Sequence, residues 1–68
     1  MARYYIVGPS SNRPLSKHGK LVHAKRAAAK RIAKGRMRSI DVVERTSHGD
    51  YVQGRVYRDG DAIVWSPV

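Results

Sequence analysis

Arg26, Lys30 and Lys34 stand at four-residue intervals, the spacing that stacks side chains into one ridge on an α-helix. Three cations on a ridge with no acid among them suit one kind of chemistry, the neutralisation of a polyanion such as a phosphate backbone. Arg31 flanks the ridge, Lys17 and Lys20 precede it, and Arg36 and Arg38 extend it beyond Gly35. A merely solvated helix face would usually mix its signs, and this one does not. The candidate nucleic-acid-binding residues are therefore Lys20, Arg26, Lys30, Arg31, Lys34, Arg36 and Arg38, with Lys17 widening the contact.

If four to six of these side chains neutralise phosphates, log K falls with log salt at a slope of roughly −4 to −5. Reading base edges needs side chains such as Asn, Gln or Arg. The helix supplies Arg26 and Arg31 but neither Asn nor Gln. The expected partner is a nucleic acid bound without strong sequence specificity, duplex DNA before RNA.

Catalytic constellations are thin. His18, His23 and His48 are the only imidazoles, and there is no cysteine nucleophile. His18 and His23 lie five residues apart, a poor match to the i, i+4 spacing of a helical metal pair. Asp41, Glu44, Asp50, Asp59 and Asp61 fall mostly at turn positions, where Asp has a structural role. A metal-independent ribonuclease needs only Arg, His and Tyr. The stretch Arg55-Val56-Tyr57-Arg58-Asp59-Gly60-Asp61 resembles the closing hairpin of RelE-type toxins, but that pattern is common to strand–turn–strand units. The expectation is a non-enzyme with no cofactor and no metal.

The charge distribution sharpens the reading. The 68 residues carry a formal net charge of +9. The first 38 hold eleven Lys/Arg and no acid, and the remaining 30 hold three basic and five acidic residues. A one-signed field over half of a small protein points to an anionic partner. At this size a chain buries only ~60% of the surface its unfolded form exposes, so one domain at most is expected. Without cysteine, stability must come from an apolar core, self-association or the partner. No apolar run approaches the ~20 residues of a membrane span, and Met1 to Val7 is too short for an export signal, so a cytoplasmic location is expected.

The elements that must position these residues follow from local pattern. Arg3 to Val7 reads as a strand and Gly8 to Pro14 as a loop. Leu21 to Lys34 is alanine-rich and helical, with Gly35 as its stop and Ser16 as a candidate early cap. Leu21, Ala24, Ala28 and Ile32 project to one side, while Lys25 falls awkwardly within that apolar arc. Ser39 to Thr46, Tyr51 to Arg58 and Ala62 to Trp65 read as further strands, the last two joined at Asp59-Gly60. Alternation places Val52, Gly54 and Val56 under the helix, and Tyr5, Tyr51, Tyr57 and Arg55 on the opposite face. Cross-strand packing is the favoured role for these tyrosines, ahead of base stacking. Gly54 marks a bulge or a close approach by the helix, and Trp65 anchors the end of the core.

The order β-α-β-β-β predicts a single α+β domain, with one basic amphipathic helix on one face of a three- or four-stranded sheet. A β-α-β start predicts a right-handed crossover with its two strands parallel. The edge Ala62-Ile63-Val64-Trp65 offers a route to a homodimer.

Taken together, Tyr4-Tyr5-Ile6-Val7, the Ala24 to Gly35 helix and the Val56 to Trp65 hairpin resemble small uncharacterised basic proteins of actinobacterial bacteriophages. The resemblance implies a short accessory protein of the host cytoplasm that binds nucleic acid or interferes with a host protein. The alternative function is accordingly an inhibitor or interaction module docking its basic surface on an acidic host protein.

Overall fold

A computed structural model describes residues 3–9, 13–35 and 37–68. Its elements are β1 (Tyr4–Val7), β2 (Pro14–His18), α1 (Leu21–Lys34), β3 (Ser39–Thr46), β4 (Gly49–Asp59) and β5 (Ala62–Pro67). The strands form one sheet in the order β2-β1-β3-β4-β5, with every neighbouring pair antiparallel. This is an α+β domain with a single helix, as the local patterns predict, and its sheet has five strands.

The extra strand is β2, in the stretch read as loop and candidate helix cap. Proline is tolerated at the first residue of an edge strand, and Pro14 takes that place. Ser16 is consequently a strand residue, its hydroxyl 2.7 Å from His18 Nε2. Lys20 precedes the helix in extended conformation, and no side chain caps the helix start.

Inserting β2 also overturns the expected parallel pairing. β1 and β3 are direct neighbours and run antiparallel, with Tyr4 opposite Glu44 and Val7 opposite Asp41. The chain reverses once more before entering α1, so the strand that leads into the helix is β2. Because β2 and β3 both pair antiparallel with β1, the parallel relation lies between β2 and β3, across β1.

The core sits between α1 and the sheet. Ala24, Ala28 and Ile32 are buried at successive turns of α1 and meet Ile6, Ile40, Val42 and Val56. Methyl-sized side chains on the helix let it lie close to the sheet, and branched chains on the strands fill the space. Gly35 ends the helix, its N–H bonding the Arg31 carbonyl at 2.8 Å. At the β4–β5 hairpin Gly60 takes a φ of +61° while Asp61 does not go positive, as a two-residue turn with glycine first requires.

Strand alternation fails once, with a defined cause. Val42 pairs with Gly54 but Val43 pairs with Val52, which leaves Gln53 as an extra residue in β4. A β-bulge of this kind flips the residues beyond it to the other face. Val52 therefore leaves the helix side and is 47% exposed. Tyr51 is opposite Glu44 and Tyr57 opposite Ser39, so the two tyrosines lie on opposite faces. Tyr5, Arg55 and Tyr57 remain together, since their β3 partners are the alternate residues Val43, Asp41 and Ser39.

Candidate nucleic-acid interface

α1 carries the candidate ridge because burying Ala24, Ala28 and Ile32 leaves the opposite side of a 3.6-residue period to water. Arg26, Lys30 and Lys34 are all exposed there. Each like-charged neighbour at this spacing costs a few tenths of a kcal/mol. Arg31 and Lys34 in the last turn recover part of that by facing the negative end of the helix dipole. At the other end there is no such relief: the first turn holds no acid, and Lys20 stands at the cap.

Three of the chain's five acidic side chains are engaged elsewhere. Arg3 Nε donates to Glu44 at 2.6 Å, Arg55 Nε donates to Asp41 at 2.8 Å, and Arg45 lies 3.7 Å from Asp50. These pairs all join residues of the sheet or its margin. Among the described residues no ion pair reaches Lys20, Arg26, Lys30, Arg31, Lys34 or Arg38. Asp59 and Asp61 sit at the β4–β5 turn, both exposed.

Two shallow depressions flank the ridge and share Lys30. One, of about 450 Å³, is lined by His18, His23, Arg26, Ala27 and Lys30. The other, of about 460 Å³, is lined by Lys30, Arg31, Lys34, Gly35 and Met37. Thus Arg26, Lys30, Arg31 and Lys34 are brought together. Lys20 stands at the opposite end of α1 from Lys34, some 21 Å away for a helix of 14 residues. Arg38 is exposed beyond the helix, its carbonyl accepting the Arg58 N–H at 2.9 Å. Lys17 is exposed on β2. Arg36 lies outside the described residues.

Some roles were not legible from spacing. Arg31 reaches back to β2, donating to the Leu15 carbonyl at 3.0 Å. Arg58 donates to the Ile32 carbonyl at 2.9 Å and ties β4 to the last turn of α1. His18 and His23, unmatched as a helical pair, share a depression because β2 runs beside α1. No group of three or more His, Cys, Asp or Glu gathers for a metal among the described residues. No helix among them is long and apolar enough to cross a membrane.

On the open face of the sheet, Tyr5 and Arg55 find their partners within the chain. Tyr5 donates to Asp50 at 2.8 Å and carries the Arg45 guanidinium 5.3 Å from its ring centroid. Burial, and then the hydrogen bond to Asp50, hold the Tyr5 phenol above its ordinary pKa. The bond to Asp41 raises the Arg55 pKa further. For Tyr5 these contacts are the cross-strand packing expected of it, whereas Tyr51 lies on the other face and is 52% exposed. No protein family, curated protein or solved structure matches this chain.

Proposed function

We propose that this chain is a small non-catalytic nucleic-acid-binding protein that contacts duplex DNA phosphates through α1 without strong sequence specificity. The observation that carries the reading is the segregation of charge. Arg26, Lys30 and Lys34 are exposed on one helix ridge, while the paired carboxylates are held by strand arginines. A cation left unpaired by its own protein keeps its full field for an external anion. Arg31, Lys20 and Arg38 widen the contact along the helix and past both its ends, with Lys17 beside it on β2.

Titration of a labelled duplex at several salt concentrations tests this. A slope of log K against log salt of roughly −4 to −5 is expected. The triple substitution Arg26/Lys30/Lys34→Glu is expected to abolish binding with the fold retained by circular dichroism. Affinity indifferent to salt, or a triple variant that binds normally, removes the reading. Single-stranded DNA and RNA run in parallel rank the partners.

A further inference from the structure

We infer that the free edge of β5, together with the groove it forms with α1, docks an extended acidic segment of a partner protein by strand addition. This surface shares only Arg26 with the cationic ridge and does not rest on the nucleic-acid reading. The groove, about 230 Å³, is lined by Val22, Lys25, Arg26, Ala29, Ile63 and Trp65 among others. Val22 is 47% and Ile63 37% exposed, among the few large apolar side chains left in water.

The hydrogen-bonding groups on this edge can be assigned. Val68 N–H donates inward to the Gln53 carbonyl. Antiparallel alternation then turns Ser66, Val64 and Ala62 toward β4 and leaves the N–H and C=O groups of Ile63 and Trp65 on the free side. Pro67, which has no N–H, falls on that free side as well, where proline is tolerated. The two edges of the sheet differ. β2 begins at a proline, slips register between Ser16 and Pro14, and exposes Lys17, all devices that discourage pairing. β5 presents Ala62-Ile63-Val64-Trp65 with none of these before Pro67.

Charge selects the occupant. Lys25 and Arg26 line the groove, no carboxylate does, and neither cation is in an ion pair among the described residues. A second copy would bring the same two cations to the same place, which like-charge repulsion opposes. An extended segment that carries both aliphatic and acidic side chains on its α1-facing positions, two residues apart, meets every requirement: backbone groups for Ile63 and Trp65, apolar side chains for the groove, carboxylates for Lys25 and Arg26.

The probe is the peptide Glu-Thr-Val-Thr-Glu-Thr, about six residues long, which sets glutamate and valine on one face, with the same peptide carrying lysine in place of glutamate as control. Trp65 is the single tryptophan, so its fluorescence reports on the groove, and the amide shifts of Ile63 and Trp65 report on the edge. The glutamate peptide should bind at least about tenfold more tightly than the lysine peptide and shift those two amides. Val22→Gln should abolish both shifts, and Ile63→Pro, which removes its own amide, should abolish the Trp65 shift; neither alters the charge, so duplex DNA affinity should stay unchanged. If Ile63→Pro fails to fold, Val22→Gln alone carries the test, because Val22 is exposed. Equal binding of the two peptides overturns the inference, and so do shifts confined to Lys30 and Lys34. Light scattering that shows a peptide-free dimer with the Ile63 and Trp65 amides already protected also overturns it, by making a second copy the occupant. Loss of DNA binding alone would leave it standing, so the two proposals fail separately.

Discussion

The Lys25 ammonium lies 4.7 Å from the centroid of the Trp65 ring, joining the first half of α1 to the edge strand β5. This contact accounts for a lysine within an otherwise apolar arc: it faces the sheet and finds an aromatic surface there instead of a carboxylate. Lys25→Met keeps the aliphatic stem and removes the charge. At a partly exposed site the loss should be about 0.5–1 kcal/mol, read as a lowered denaturation midpoint, with a change in Trp65 emission. An unchanged midpoint and unchanged emission would show that the ammonium adds nothing beyond packing.

Trp65 makes its other close approach at Gly54. A Cβ there would stand 2.6 Å from Trp65 Cη2 and 2.6 Å from the Ser66 carbonyl oxygen. The indole can rotate away, but the backbone oxygen cannot move without breaking the β4–β5 ladder. Gly54→Ala should therefore destabilise the protein by about 1–3 kcal/mol, the usual range for an overpacked site. Chemical denaturation followed at Trp65 measures it, and a variant as stable as the parent contradicts the packing described.

Tyr5 gives a pH signature. Its folded-state pKa is raised above the unfolded value of about 10, first by burial and then by the bond to Asp50. A raised pKa contributes stability that is fully present below the unfolded pKa and is lost as pH rises through the folded one. Stability should therefore decline in the alkaline range above that unfolded value, and Tyr5→Phe should flatten the decline. Spectrophotometric titration should show one phenol, absent in Tyr5→Phe, ionising later than the rest. Coincident ionisation of all four tyrosines would contradict the assignment.

Position, not total charge, should govern DNA affinity. Lys30→Gln and Arg55→Gln each remove one positive charge, yet Lys30 lies on the ridge and Arg55 is held by Asp41 on the strand face. Lys30→Gln should reduce the salt slope by about 1, and Arg55→Gln should leave it nearly unchanged. Equal effects would mean that net charge alone drives the association.

Local pattern was enough to place α1 up to its stop at Gly35 and to put Ala24, Ala28 and Ile32 on its buried side, but it left the start of the helix open. Alanine propensity and a 3.6-residue period act within a dozen neighbouring residues. The β4–β5 hairpin was legible for the same reason, since a two-residue turn is a local event. The grouping of cations on one ridge likewise follows from helical spacing, because no strand partner is needed to align them.

Tertiary structure decided what depends on residues distant in the chain. Pro14 reads as the end of a loop and Ser16 as a candidate helix cap until β1 offers Pro14 to His18 a partner, and that pairing turns β1 and β3 antiparallel. The extra residue Gln53 becomes visible only when β4 is laid against β3, and it sends Tyr51 and Val52 to faces that alternation denied them. Lys25, Arg31 and Arg58 found their partners at Trp65, Leu15 and Ile32, across separations that no periodicity encodes. Hydrogen bonds between strands and contacts between layers are set by register, and register is a property of the folded pair.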